Sequence, residues 1–402
     1  MTAGWQVKAL GSVAVVFDGP HATPKTVNAG PIFLGIGALQ DGTINLDETR
    51  HVTEEDFLQW TRRVRPQSDD FVFSYETRLG QAAIIPPGLA CCLGRRMGLV
   101  RFNTEAVLPQ FFLYQYMTPA YQAFLDLKTI RGATVDRISI KDFPSFPIAI
   151  PPVAEQRRIV AILDEAFAGI ATAKASVDKN LQNAREWAAR QLAMALGAAS
   201  TNGRVDTLEK LVASSCTLSY GIVQPGDEVS GGLPVVRPVD LGDKTVYVDG
   251  LKRIDPALAR SYARTTLEGN DLLLCVRGTT GTVATADPAL AGANVTRGIV
   301  PIRFDLQTIS QALGYYLLRS EPVQAQIRAK TYGTALMQIN IGDLRKIVIA
   351  FPPQEKQAAL VEQFDAIQEA ADQLTDVYTR KLAALDELKR SLLHQAFSGG
   401  LS

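Results

Sequence analysis

The sequence predicts an α+β fold: two globules of mixed α/β structure, each followed by a long helix, with the two helices pairing as an antiparallel coiled coil in a pseudo-twofold tandem repeat. Three observations predict it: an internal repeat, clusters of short apolar runs, and two long stripes of heptad-spaced apolar residues.

The repeat is gapless over its best block. RGATVDRISIKDFPSFPIAIPPVAEQ (131–156) aligns with YGTALMQINIGDLRKIVIAFPPQEKQ (332–357), an offset of 201 residues. That register pairs Gly132 with Gly333, Ile138 with Ile339, Asp142 with Asp343, Pro151–Pro152 with Pro352–Pro353 and Gln156 with Gln357. The same offset carries DFVFSYETRLGQAA (70–83) onto DLLLCVRGTTGTVA (271–284), matching Asp70 to Asp271 and Gly80 to Gly281. One residue out of that register, Arg95 and Arg101–Phe102 match Arg297 and Arg303–Phe304.

The layout therefore has four segments: a globule over 1–150, a helix over 151–202, a globule over 203–350 and a helix over 351–402. In the globules, SVAVVFDGP, PIFLGI, DFVFSY, DLLLCVRG and GIVPIRF are short apolar runs broken by Gly, Pro and Asp, the pattern of strands and turns. Each globule also carries one helical stretch, near 106–127 and near 308–329. Each Pro-Pro pair ends a strand and starts a long helix, because proline suits the first helical turn. Glu155 and Glu355 place negative charge at the positive helix end.

A 3-4 spacing along the first helix gives Ile159, Leu163, Ala166, Ile170, Ala173, Val177, Asn180, Ala184, Trp187, Gln191 and Met194. Its counterpart gives Leu360, Phe364, Ile367, Ala371, Leu374, Tyr378, Lys381, Leu385, Leu388, Leu392 and Gln395. Stripes of that length are coiled-coil seams, and the simplest partner for one seam is the other. Asn180 and Lys381 occupy one seam position, where a polar residue either fixes register or sits exposed as the seam loosens. A pair of separate helical hairpins is the bland alternative; few turn signals interrupt either stripe.

Composition narrows the function classes. With 47% hydrophobic and 20% charged residues the chain is globular, and no apolar run approaches the ~18 residues that span a bilayer. No signal peptide is evident, so the expected compartment is the cytoplasm, without a membrane partner. Cys91 and Cys92 are adjacent and lack a CxxC companion, so a metal site is not expected. His21, His51 and His394 are scattered, which argues against a catalytic triad. Lys+Arg and Asp+Glu both total 41. That balance counts against a free-standing DNA binder, and is tolerable if a more basic partner shares the DNA.

Antiparallel rods under a pseudo-twofold axis would hold the globules at opposite ends, with a fixed separation, as dimeric readers fix the distance between half-sites. The globules diverge between their shared blocks, so their targets should differ, giving a split, asymmetric recognition sequence.

The pieces IPPVAEQRRIVAILD, FPPQEKQAALVEQFD and LDELKRSLLHQAFSGGL resemble the conserved regions of the specificity subunits of type I restriction-modification enzymes. LCVRGTTGTVA, DGPHATP and GRRMG look like pieces of that family's target-recognition domains, and the segment order is the family's own. The resemblance implies a non-catalytic protein that binds double-stranded DNA and carries two DNA methyltransferase subunits along the coiled coil. For cleavage it implies added restriction/translocase subunits. It implies no cofactor in this chain, with S-adenosylmethionine, ATP and Mg2+ on the partners. The first helix departs from the pattern: it ends in ARQLAMALGAAS rather than the SLLHQAFSG form, so the two ends need not dock partners equally. The alternative from another class is a coiled-coil scaffold holding two protein-binding globules.

Candidate DNA contacts follow from residue type. In RGTTG (277–281), Arg277 can grip guanine or phosphate, Thr279 and Thr280 offer hydroxyls, and the glycines allow close backbone approach; an ordinary turn would also need those glycines. ETRLG supplies Arg78 at the equivalent place. Arg95 and Arg96 belong to a stretch, 57–101, with seven arginines against three acids, and Arg297 is the repeat partner of Arg95. Lys128, Arg131, Lys330 and Tyr332 flank the paired glycines, where a structural turn competes with backbone contact.

Overall fold

A computed structural model describes residues 4–21, 23–132, 135–199, 203–242, 244–334 and 336–400. The expected boundaries at 1, 202 and 402, and positions 133–134 and 335 of the shared block, lie outside the described residues. Two compact units result: Met1–Asp178 with Tyr378–Ser402, and Lys179–Val377.

The apolar runs of the first unit become the four-stranded antiparallel sheet Ala14–Asp18, Met97–Phe102, Phe71–Ser74, Ala82–Ile84, in that spatial order. In the second unit Ile299–Ile302, Leu272–Cys275 and Val283–Ala286 repeat its last three strands, and Thr245–Val246 adds a parallel edge instead. A parallel pair recurs too: Val27–Leu34 with Cys91–Leu93, and Leu233–Val236 with Asn294–Val295. Each unit closes with an antiparallel pair leading into its long helix, Gln6–Ala9 on Pro147–Ile150 and Arg204–Thr207 on Val348–Phe351.

The two cores share a plan and differ in filling. Phe71, Phe73, Phe112, Tyr116 and Phe143 dominate the first. Leu272, Leu274, Val300, Ile302 and Leu313 dominate the second. Burial pushes the Cys91 thiol up to about 12 and the Cys92 thiol up to about 11, so both behave as core hydrophobes.

The single helical stretch expected in each globule is two helices. Pro109–Met117 is followed by Pro119–Lys128, and Gln311–Arg319 by Glu321–Lys330. Thr118 and Ser320 are extended at ψ 146 in both cases, because a proline in the next first turn ends the preceding helix. The paired glycines also have a steric reason. Gly80 and Gly281 sit at φ +81 and +96, and a Cβ there would meet Gln122 Oε1 at 2.1 Å or Gln324 Oε1 at 2.5 Å. Those glutamines hold the turn, since each Nε2 donates to the glycine carbonyl and to the end of the preceding helix.

The long helices run unbroken over Val153–Ala199 and Gln354–Ser398, 47 and 45 residues, which excludes hairpins. Gln156 and Gln357 join each to its globule. Gln156 Oε1 accepts from Leu108 N at 2.8 Å while Nε2 donates to Ala106 and Pro151 carbonyls. Gln357 repeats the set with Ser310, Thr308 and Pro352. In the first unit Ile159 and Leu163 of the first helix cluster with Leu393 and Ala396 of the second, and Lys174 pairs with Asp386. In the second unit Leu192 and Leu196 of the first helix cluster with Leu360 and Phe364 of the second. This exchange of ends is antiparallel pairing.

The strict heptad stripe needs correction at three places. Ile159, Leu163, Ile170, Val177, Leu360 and Phe364 are buried, and Ile367, Leu385 and Leu392 half-buried, as a seam requires. Trp187, Leu374 and Leu388 are instead 42%, 39% and 46% exposed, and the burial passes to Ala188, Thr375 and Lys389. An α-helix of 3.6 residues per turn drifts about 20° per heptad from a 3.5 repeat, so after about four heptads the inward position has moved by one residue, which accounts for Trp187 and Leu388, each 28 residues past the first seam residue of its helix. Asn180 and Lys381 are exposed, which leaves them outside the seam.

The two helix ends differ in what surrounds them. In the first unit Trp5, Phe111 and Phe397 stack edge and face within about 6 Å of one another. In the second, Gly203, Leu313 and Leu196 stand at the corresponding positions. A cavity of about 690 Å³ remains there, lined by Leu192, Leu196, Val323, Phe364 and Ala371 with Arg319.

Candidate nucleic-acid interface

In both units the same two segments meet at the edge of the sheet: the turn carrying the paired glycine and the loop that follows the second short helix. Thr77 N donates to Asp136 O at 3.2 Å and Glu76 bridges Arg137. In the second unit Gly278 N donates to Met337 O at 2.8 Å and Arg277 bridges Gln338. Every one of these pairs is related by the offset of 201, so one backbone frame serves both units. Thr77 holds φ +71 where the second unit has Gly278 at φ +89.

The side chains on that frame differ. In the first unit most cations are held internally. Arg78 donates through Nη1 to the Gly37 carbonyl at 2.7 Å and to that of Ile36, clamping a neighbouring turn. Arg96, at φ +72, donates to Thr77 Oγ1 at 3.0 Å and sets its Nε 3.2 Å from Glu76 Oε2, an ion pair without hydrogen-bond alignment. Arg131 reaches Asp126 at 2.5 Å and Asp136 at 2.8 Å; the hydrogen bond from Arg131 holds the Asp136 carboxyl below its usual range. Lys128 lies over the Phe124 ring at a helix C-terminus, a position the helix dipole favours. Arg95 is exposed and without an ion-pair partner among the described residues. It lies near Tyr75, whose hydroxyl donates to Asp18 at 2.9 Å and is held protonated by burial and that bond.

In the second unit Arg277, Thr279, Thr280, Arg297 and Tyr332 come together. Arg277 is half-buried, and its Nε has no partner among the described residues. Thr280 Oγ1 donates to Met337 O at 3.3 Å, and Thr279 is exposed beside Cys275. Arg297 is exposed, with its backbone N–H fixed to Ile222 O at 2.8 Å. Tyr332 exchanges two backbone bonds with Gln338, at 2.9 and 2.8 Å, closing a small hairpin. Lys330 is half-buried at the end of its helix and belongs to this group only at its margin.

Sequence reasoning missed three members of the surface. Tyr220 donates to Ile339 O at 3.2 Å, and its hydroxyl is raised above the usual range by burial and by neighbouring Tyr332. Leu336 and Met337, 46% and 44% exposed, form the hairpin tip. The signal for Met337 was present in the gapless repeat, where an apolar residue replaces Asp136. Among the described residues no cluster of His, Cys, Asp and Glu could hold a metal, and no helix is long and apolar enough to cross a membrane.

Comparison with known proteins gives a consistent picture. The family model described as type I restriction modification DNA specificity domain matches residues 3–179 and 227–380. The chain is 23% identical over 332 residues to the EcoBI specificity subunit of Escherichia coli, across 77% of this chain and 69% of that one. A solved chain from the complex assembly and conformational transition of a type I R-M system superposes with TM-score 0.75, at 21% identity, covering 99% of both chains. The HsdS subunit from Thermoanaerobacter tengcongensis superposes with TM-score 0.56, at 20% identity, covering 100% of this chain and 98% of that one.

Proposed function

The chain belongs to the type I restriction modification DNA specificity family, and from that premise we propose that its two globules read the two different halves of a split, asymmetric target. As a specificity subunit it recognises DNA and assembles within the restriction-modification complex, and it is the non-catalytic member of that complex. The observation that carries the bipartite reading is the duplicated frame with exchanged side chains. A frame kept twice with different tips supports two readers of different sequence rather than one reader of a palindrome.

Within this reading, Arg277, Arg297, Thr279, Thr280, Lys330 and Tyr332 face the second half-site, and Arg95 with the Arg96, Arg78, Lys128 and Arg131 group faces the first. The internally paired arginines orient loops and present only their remaining N–H groups to phosphate. Two methyltransferase subunits are carried along the helix pair, and translocase–nuclease subunits join for cleavage. S-adenosylmethionine, ATP and Mg2+ belong to those partners. The even charge balance of 41 against 41 fits a reader that shares the DNA with a more basic partner.

The test is salt dependence. The complex of this chain with its methyltransferase should bind target duplex with log K falling steeply against log salt. Arg277→Ala with Arg297→Ala should flatten the slope by about 1–2 if both touch phosphate. Binding of the wild-type complex that is insensitive to salt, or absent, would favour a protein-binding scaffold.

A further inference from the structure

The hairpins of the two units occupy one frame, share an apolar residue at Val135 and Leu336, and differ in chemistry at the two positions on either side. In the first unit the tip pairs Arg131 with Asp136, and Gly132 N also donates to Asp136 Oδ1 at 3.3 Å. The tip thus offers a charged donor beside a charged acceptor. In the second unit the same two positions are Tyr332 and Met337, and Leu336 stands next to Met337. All three side chains are exposed, at 48%, 44% and 46%. The tip is held in place by the Gly278 and Thr280 donors to the Met337 carbonyl and by the Tyr332–Gln338 pair. Leu336 lies over Gly278, whose Cβ position is 3.9 Å from Leu336 Cδ1.

Single exposed apolar residues are ordinary, but Tyr332, Leu336 and Met337 stand together on one hairpin, and a contiguous apolar patch marks an interaction surface. Arg277 and Arg297 on the same surface specify an anionic ligand, and DNA presents one apolar group at its base edges, the thymine 5-methyl in the major groove. Resting on the DNA-reading function above, we infer that Met337, flanked by Leu336, is a specificity-determining residue that recognises a thymine methyl group in the second half-site. The first unit, with Arg131 and Asp136 at the equivalent place, recognises hydrogen-bonding edges instead.

Replacing thymine by deoxyuridine removes the methyl and leaves pairing intact, so the probe is a set of target duplexes, each with one thymine of the second half-site replaced. Binding is measured with the complex of full chain and methyltransferase. The expected result is a loss of about fourfold at one position, the worth of one buried methyl. Met337→Ala should lose a similar factor on the unmodified duplex and nothing further at that position. Leu336→Ala serves as the second variant, and unchanged thermal unfolding verifies that both exposed substitutions leave the fold intact. Full binding to every uracil-substituted duplex, a second half-site without thymine on either strand, or equal uracil sensitivity in wild type and Met337→Ala would overturn the assignment. A wedge between base steps would show as a Met337→Ala loss with no uracil effect, which also overturns it. Failure of the wild-type complex to bind target DNA at all would instead count against the DNA-reading function.

Discussion

Replacing residues 203–350 with the corresponding domain of another family member is expected to change the whole second half of the methylated sequence and leave the first half as it was. The frame explains why the exchange should be tolerated. The domain is tied to its long helix through Gln357, which caps Ser310 and Thr308, and through the strand pair Arg204–Thr207 on Val348–Phe351. The same ties recur at Gln156 and at Gln6–Ala9 on Pro147–Ile150, so the joint is a standard part of the repeat. The reading side chains lie elsewhere, on the turn at 277–281, at Arg297, and at Lys330 with the hairpin that follows it. Methylated-base mapping on genomic DNA is the measurement, and simultaneous loss of both half-sites would contradict independent reading.

Removal of Asp271 is expected to destabilise the second unit strongly. Asp271 is fully buried; it accepts Glu268 N at 2.8 Å and Arg303 Nη1 at 2.5 Å. Arg303 itself is only 12% exposed. Asp271→Ala leaves the Glu268 N–H without its acceptor and Arg303 with only its longer contacts, to Glu268 Oε1 and to the Thr266 carbonyl, both at 3.4 Å, so the loss should sit near the low end for a broken buried pair, about 3 kcal/mol. The repeat counterpart, Asp70 with Arg101, has a guanidinium 35% exposed, so water can take up part of the loss and Asp70→Ala should cost less. Hydrogen exchange of the Leu272–Cys275 strand reads the effect locally, without requiring the whole chain to unfold in one step. A change below about 1 kcal/mol would mean that the pair is not what holds this corner. The double replacement Asp271→Leu with Arg303→Met should recover most of the stability, since no buried charge is then left unpaired.

Much of this was legible in the sequence because the repeat printed it twice. Asp70 and Asp271, Gly80 and Gly281, and Gln156 and Gln357 recur at one offset, and each has the same structural duty in both units. The breaks at Thr118 and Ser320 were marked by the following prolines but hidden inside helical composition. Trp187 and Leu388 were misplaced because a fixed 3-4 spacing ignores the drift that builds up over four heptads of a long helix. Among the candidate contacts, residue type alone separated cations from the rest but said nothing of their partners. Arg131 turned out to lie between Asp126 and Asp136, and Arg78 against two carbonyls, through contacts that chain folding alone creates. Met337 was passed over because an apolar residue is expected in a core and its exposure depends on tertiary packing.

The most direct measurement of the central claim is the methylome of a host that carries this chain with its cognate methyltransferase, compared with the same host carrying the methyltransferase alone. The predicted result is one new methylated sequence of two unlike halves separated by a gap of fixed length, present only when both proteins are expressed. A continuous or palindromic sequence, or methylation that persists unchanged without this chain, would contradict it.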